Sequence, residues 1–175
     1  MNRLKKAAVL AAGLLALAGC AQKAPPAADP AADEAAVRAI NPSWFKAYNA
    51  GDVDGVVALY AADAVLNMPG VPPVRGTAAI REAFAKDMAA MAAAGLANNQ
   101  GADGEFGVSG DLAWEWNTFY VTDSSGARVD TGKYVTVYGR KDGKWMIIRD
   151  IWNSDTPAAA PAPDAAAAAA ETPAS

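Results

Sequence analysis

The chain has 175 residues, a formal net charge of −4, one cysteine and no histidine. The lack of histidine excludes a Ser-His-Asp triad, a Cys-His pair and histidine-ligated metal sites, and neither common type of glycine-rich phosphate-binding loop occurs. We therefore expect no metal and no cofactor. No long run of Lys and Arg follows the first six residues, so we also expect no nucleic acid partner.

The first twenty residues have the pattern of a leader. Three basic residues precede an apolar stretch at 7–17, and the leader ends in Leu-Ala-Gly-Cys20. This pattern is typical of a secretory signal peptide, because the apolar run is too short to span a bilayer. The ending resembles a bacterial lipoprotein signal, which implies cleavage before Cys20, acylation of its thiol and attachment to the outer membrane, facing the periplasm. The alternative is an ordinary secretory signal that leaves Cys20 as a free thiol.

Composition divides the chain into four segments. The signal peptide occupies 1–19, an Ala/Pro-rich tether occupies 20–32, and an Ala/Pro-rich tail that we expect to be disordered occupies 155–175. Residues 33–154 remain, which is enough for one domain with a single core.

Three helices are predicted in the first part of this domain. Apolar residues at helical spacing over 37–48 predict one helix kinked at Pro42, or a shorter helix capped by Asn41. Asp52 is expected to cap a second, short helix, and a third helix begins at Gly76.

Five strands are predicted, one before the third helix and four after it. They lie at 64–68, 96–108, 112–122, 128–140 and 144–153. Turn signals ending at Gly126 and Gly143 separate the last three strands. Helices followed by a run of strands indicate an α+β fold.

Alternation along the strands separates two faces of the predicted sheet. Trp114 and Trp116 share one face of their strand, and Ile148, Asp150 and Trp152 share one face of the last strand. Both faces of the last strand are largely apolar, which indicates that a second copy of the chain covers the outer face. We therefore expect a homodimer. Its expected contact residues are Phe119, Tyr134, Tyr138, Trp145 and Ile147.

Four stretches of the chain carry a family resemblance. They are 60–70, 75–80, 132–134 and 143–155, the last of which closes with Asp-Ile-Trp-Asn-Ser-Asp. They resemble the SnoaL-like and ketosteroid-isomerase-like domains of the nuclear-transport-factor-2-like (NTF2-like) superfamily. The resemblance implies a cone-shaped fold, in which a strongly bent antiparallel sheet wraps around about three helices and leaves a pocket at the wide end. Dimers are common in that family.

The resemblance does not bring steroid isomerase chemistry with it. The general base of the isomerases falls at Met68, their helix Tyr falls at Trp44, and their oxyanion-hole Asp falls near Val135. All three positions are apolar or aromatic here, so isomerisation by that mechanism is not expected. Trp152 matches a pocket-lining Trp of the isomerases. The expected ligand-binding residues are Trp44, Tyr60, Met68, Trp114, Trp116, Ile148, Asp150 and Trp152.

Asp150 is the one candidate catalytic residue, because an ionised carboxylate on an apolar face is costly unless it is paired. It either accepts hydrogen bonds from a Trp or Tyr, or pairs with an arginine, and so has a structural role. Otherwise it anchors a ligand or acts as a general base with a raised pKa.

Three hypotheses for the function follow. The leading one is a lipid-anchored periplasmic module that binds a small apolar ligand in an aromatic pocket without chemistry. The second is an isomerase, cyclase or dehydratase with Asp150 as its general base. The third is an interaction protein that works through the convex outer face of the sheet.

Overall fold

The computed structural model describes residues 29–157, so the predicted signal peptide, Cys20, most of the predicted tether and most of the predicted tail lie outside the described residues. This part of the chain forms four helices and seven strands. Their bounds are α1 Pro30–Arg38, α2 Ile40–Asn49, α3 Val53–Val57, β1 Tyr60–Asn67, β2 Val74–Arg75, α4 Gly76–Ala93, β3 Ala97–Gln100, β4 Glu105–Ser109, β5 Leu112–Thr122, β6 Arg128–Lys141 and β7 Lys144–Ser154.

The predicted kinked helix is two helices, α1 and α2, which meet at Ala39. Pro42 explains the break, since it has no N–H to donate to the carbonyl of Arg38 and its ring crowds that carbonyl. The helix therefore breaks one turn before the proline rather than at it. The helix α1 also starts inside the predicted tether, at Pro30, where the Asp29 side chain accepts hydrogen bonds from two first-turn N–H groups at 3.1 and 3.3 Å.

The strands form one curved sheet in the order β2-β1-β7-β6-β5-β3, and β4 also pairs with β5. Pairing is antiparallel throughout, except that β1 and β7 are parallel. The predicted α+β class and bent sheet are confirmed. The single strand predicted at 96–108 is wrong, because β3 and β4 occupy it in succession along β5. The connection between them passes close to β5 at Gly101, where a Cβ would collide with the Thr118 side chain.

The core lies between the sheet and the helices. Ile80, Phe84 and Met88 form the buried stripe of α4, as the helical spacing predicts, and α4 packs on β1. These side chains belong to the same buried cluster as Leu66 and Tyr138 of the sheet. Burial of an apolar side chain of this size contributes about 1.5–3 kcal/mol, so this stripe fixes the helix against the sheet.

The inner face of β5 is the opposite of the one predicted. Ala113, Glu115 and the other odd-numbered residues of this strand point into the core, whereas Trp114 is 43 % exposed. Trp114 and Trp116 therefore lie on the outer face of the sheet. Large apolar residues occur at both parities of β5, so alternation separates its faces without telling which of them is buried.

A β-bulge changes the faces of β7. Tyr138 of β6 pairs with Ile147, while its neighbour Val137 pairs with Arg149, which leaves Ile148 as the extra residue. Ile147 and Asp150 consequently both face inward, although their parities differ. The predicted inward position of Ile148 is wrong, because its side chain lies over Gly139 on the outer face.

These corrections also change the expected dimer surface. Phe119, Tyr134, Tyr138 and Ile147 are buried inside the cone, and Trp145 packs against the same core. The apolar residues that the outer face does expose include Leu112, Trp114, Val135 and Ile151. Within residues 29–157, no helix is long and apolar enough to cross a membrane.

Candidate functional site

A cavity of about 140 Å³ opens between the helices and the inner face of the sheet. Seven of the fifteen lining residues are aromatic, and three are aspartates. The lining residues are Asn41, Trp44, Phe45, Tyr48, Phe84, Asp87, Met91, Asn98, Phe119, Val121, Asp130, Tyr134, Thr136, Asp150 and Trp152.

The aromatic rings of the wall support one another. On the helical side, Trp44 stacks on Tyr48 with ring centroids 4.8 Å apart and an interplanar angle of 17°, and Phe84 meets Trp44 edge to face at 5.7 Å. On the sheet side, Phe119 and Trp152 meet edge to face at 5.9 Å. Aromatic pairs in these arrangements contribute about 0.5–1.5 kcal/mol beyond area burial, so the wall is held in one shape.

A chain of hydrogen bonds runs from this wall to the buried carboxylate of Asp150. The Trp44 indole Nε1 donates to the Tyr60 hydroxyl at 3.1 Å, and that hydroxyl donates to Asp150 Oδ2 at 2.6 Å. The Thr136 hydroxyl donates to Asp150 Oδ1 at 3.2 Å. Asp150 thus accepts a hydrogen bond from a tyrosine, as expected if its role is structural. It also lines the cavity, as expected if it anchors a ligand.

Burial raises the pKa of Asp150 above its usual range, although hydrogen bonds from Tyr60, from Thr136 and from the N–H of Ile151 act in the opposite direction. The residue is only 8 % exposed. Burial, together with the neighbouring carboxylate of Asp150, raises the pKa of Tyr60 well above its usual range, so the hydroxyl remains a donor. For Asp150, therefore, the effect of desolvation on the charged form outweighs the hydrogen bonds, and the net shift of the pKa is upward.

The two other aspartates of the wall have different surroundings. Asp87 of α4 accepts a short hydrogen bond from the Tyr48 hydroxyl. Asp130 of β6 accepts hydrogen bonds from the Ser154 and Thr156 hydroxyls, both at 2.8 Å. Desolvation raises the pKa of Asp130, but the hydrogen bonds outweigh it and the net shift is downward.

A second buried carboxylate, Glu115, lies beside the cavity and is missing from the sequence-based site. It is 7 % exposed and accepts five side-chain hydrogen bonds of 2.7–3.3 Å. The donors are Asn41, Gln100, Asn117, Tyr134 and Tyr138. With five donors, both carboxylate oxygens are saturated, which indicates a positioning role for Glu115 rather than proton transfer.

The strand register, which includes the β7 bulge and is known only from the structure, explains why Glu115 points inward. Glu115 pairs with Thr136 across β5 and β6, and Thr136 pairs with Asp150 across β6 and β7. Residues paired directly across a sheet share a face. An inward Asp150 therefore requires an inward Glu115 and an outward Trp114.

The eight predicted ligand-binding residues fall into three groups. Trp44, Asp150 and Trp152 line the cavity. Tyr60 is buried behind the wall, where it bridges two of them, and Met68 packs against the main core. The third group, which lies on the outer face, is Trp114, Trp116 and Ile148. Residues of α4 and β3, such as Asp87 and Asn98, were missed because helical and edge-strand positions give no sign of which cavity they reach.

Within 29–157, no three Cys, Asp or Glu side chains are close enough together to hold a metal ion. Two of the positions that match catalytic residues of the isomerases lie away from this cavity. Met68 packs in the core here, and Val135 points outward at 36 % exposure, so neither position reaches the cavity.

Comparison with known proteins assigns the family. The model of the SnoaL-like domain matches residues 43–148, and the chain therefore belongs to this family. An NTF2-like protein with a cystatin-like fold from Novosphingobium aromaticivorans is 20 % identical, with a TM-score of 0.66 over 81 % of this chain and 90 % of that chain.

Two further solved structures carry functional names. A ketosteroid isomerase-like protein from Erwinia carotovora atroseptica is 20 % identical, with a TM-score of 0.53 over 70 % of this chain and 96 % of that chain. A candidate dehydratase of the NTF2-like family from Streptomyces avermitilis is 20 % identical, with a TM-score of 0.59 over 71 % of this chain and 96 % of that chain. At these identities the likeness establishes the shared fold.

Proposed function

We propose that this SnoaL-like protein binds a small, largely apolar molecule in its aromatic cavity and does so as a binding or accessory module, without chemistry. The observation that carries the proposal is the cavity itself, about 140 Å³ in volume and walled by stacked and edge-to-face rings. An engineered apolar cavity of about 150 Å³ accepts benzene. A molecule with one six-membered ring therefore matches the space.

The state of the carboxylates supports binding over catalysis. Both oxygens of Asp150 already accept hydrogen bonds from protein hydroxyls, and Glu115 is saturated by its five donors. A general base must be free to accept a proton from its substrate. Both carboxylates already accept hydrogen bonds from the protein, whereas a general base needs an oxygen that is free to receive the proton of its substrate.

A neutral one-ring probe tests the proposal. Benzyl alcohol should bind at one site per chain in calorimetric titration and should raise the melting temperature progressively as its concentration increases. Val121→Phe places a ring inside the cavity and should abolish this binding. The matched control is Val135→Phe, which makes the same change on the outer face and should bind like the wild type. Binding that survives Val121→Phe, or no saturable binding at all, would contradict the proposal.

The raised pKa of Asp150 on the cavity wall favours a second candidate function. In this alternative Asp150 abstracts a proton from a carbon acid, as an isomerase, cyclase or dehydratase would require. A ring-fused ketone such as 2-indanone provides a direct assay. If Asp150 is a base, the protein should accelerate deuterium exchange beside the carbonyl in D₂O, and Asp150→Asn should remove that acceleration. Asp63→Asn, which keeps Asp150, should exchange like the wild type. No acceleration above buffer by the wild-type protein, or an acceleration that Asp150→Asn retains, would eliminate this candidate for carbon acids of that type.

Two further parts of the proposal concern where the protein works and with what. Acylation of Cys20 would anchor it to the outer membrane on the periplasmic side, which the Leu-Ala-Gly-Cys20 ending supports. A second copy would cover the outer sheet face, which the exposed side chains of Trp114, Val135 and Ile151 support. If the chain is a monomer, the same face would serve the alternative of an interaction protein with a different partner.

A further inference from the structure

The charges around the cavity have one sign. Asp87, Asp130 and Asp150 line it, whereas no Lys or Arg of residues 29–157 does. Within residues 29–157, the ion pairs involve other carboxylates, and none of these three has a cationic partner. Carboxylates in a partly desolvated site are costly without a counter-charge. The wall therefore carries negative charge that the described residues do not neutralise.

The hydroxyl donors of the wall are already in use. Tyr48 donates to Asp87, Thr136 donates to Asp150, and Tyr134 donates to Glu115 at 2.9 Å. The side-chain N–H groups of Asn41 and Trp44 also donate to protein oxygens. Only the indole N–H of Trp152 and the amide of Asn98 have no such partner among the described residues. A ligand consequently meets acceptors in excess over donors.

One acceptor on the wall is unpaired. The Asn98 side-chain oxygen Oδ1 is buried and has no hydrogen-bond partner within residues 29–157. Buried polar atoms are almost always paired in native proteins, by protein, by water or by a ligand. Asn98 lines the cavity, so a rotation of its side chain that exposes this oxygen would let an N–H donor from the ligand pair with it.

From these three observations we propose that the ligand is a protonated amine carried on a small apolar or aromatic body, with Asp150 as the counter-ion of its ammonium group. This inference rests on the proposed binding function and specifies its ligand class. Asp150 is the most buried of the three aspartates, so its attraction for a cation is the least screened. The faces of Trp44 and Tyr48 add cation–π attraction, and the same rings accept the apolar body.

Three probes of equal ring size test the charge preference. Benzylamine, benzyl alcohol and benzoate are respectively cationic, neutral and anionic at neutral pH. Calorimetric titration of the wild-type protein should show benzylamine binding at least tenfold more tightly than benzyl alcohol, and no measurable binding of benzoate. This comparison needs no variant, so its result does not depend on the stability of any mutant.

The variant Asp150→Asn tests the assigned counter-ion. It should lower the preference for benzylamine over benzyl alcohol, measured as the ratio of the two affinities in the same variant, at least tenfold, because only the cation loses its partner. The matched control is Asp63→Asn, an Asp of β1 whose side chain is 68 % exposed and lies outside the cavity. It should change neither affinity.

The outcomes separate this inference from the function on which it rests. If benzyl alcohol binds as tightly as benzylamine, the amine preference is wrong and the apolar-ligand function stands. If none of the three probes binds, the proposed function fails as well. If benzylamine is preferred and the preference survives in Asp150→Asn, the assignment of the counter-ion to Asp150 is overturned.

Discussion

Removing the hydroxyl of Tyr60 should destabilise this protein far more than the loss of a single oxygen atom suggests. Tyr60 is 2 % exposed, and its hydroxyl both accepts from Trp44 Nε1 and donates to Asp150 Oδ2. Tyr60→Phe keeps the ring and its packing, so the effect isolates the hydrogen bonds. The substitution leaves an indole N–H without its acceptor and a buried carboxylate with one donor fewer.

The expected loss follows from these two contacts. A hydrogen bond to a charged group contributes about 1.5–3 kcal/mol, and a buried donor left unpaired costs about 1–3 kcal/mol. Trp44 is only partly buried, so the lower end applies to its N–H, and we expect a total of about 3 kcal/mol. The control is Tyr138→Phe, whose hydroxyl donates at 3.2 Å to Glu115, which keeps four other donors. That variant should lose about 1 kcal/mol.

Urea unfolding at several pH values provides the assay. The Tyr60 hydrogen bond lowers the pKa of Asp150 against the upward effect of burial, so Tyr60→Phe should raise the folded-state pKa further. An Asp whose pKa is raised by folding makes the native state less stable as pH rises through that pKa. The penalty for Tyr60→Phe should therefore be larger at pH 7 than near pH 4. A loss below about 1 kcal/mol at pH 7, or a penalty that does not change with pH, would refute the bridging role of this hydroxyl.

Three further predictions concern the aspartates, the dimer and the anchor. The free energy of unfolding of the wild type should fall relative to that of Asp150→Asn as pH rises from 3.8 through the raised folded-state pKa of Asp150. Relative to Asp130→Asn, it should fall as pH decreases from 3.8 through the lowered folded-state pKa of Asp130. If the two differences change with pH in the same direction in urea unfolding, these pKa directions are contradicted. Trp114→Glu on the outer face should convert a dimer to a monomer in sedimentation velocity at micromolar concentration, while Asp63→Asn should not; a wild-type monomer would exclude the dimer. Cys20→Ser should move the protein from the membrane fraction to the soluble fraction, and variant protein that stays membrane-bound after a carbonate wash would exclude the lipid anchor.

Much of the fold could be predicted because its signals are local. Asp52 accepts the N–H of Gly55 at 2.8 Å and caps α3, as its position in the sequence predicts. The turn ending at Gly126 and the turn ending at Gly143 both need a positive φ, and both separate the strands where predicted. Such features depend on residues a few positions apart, so the sequence contains all that is needed to find them.

The candidate site depends on distant contacts and could be predicted only in part. Trp44, Asp150 and Trp152 were placed correctly on the cavity, but Trp114 and Trp116 were placed on the wrong side of the sheet. Aromatic size favoured an inward position for the tryptophans, while the buried alternative contained a glutamate. Glu115 is tolerated inside only because five donors converge on it, from α2, from the two strands β3 and β6 and from its own strand β5.

The amino-acid sequence alone determined that helices precede a run of strands, the turns, the buried stripe of α4 and the family, since each of these depends on neighbouring residues or on a recognisable stretch. The separation of α1 from α2, the strand β2 and the division into β3 and β4 came only from the structure. Tertiary structure alone decided which face of β5 is buried, where the β7 bulge lies and that Asp87, Asp130 and Asp150 share one cavity. The physical reason is that a strand has two faces of equal local standing. Which face is buried depends on how the strand pairs with its neighbours and on whether a carboxylate on that face can be hydrogen-bonded inside the core.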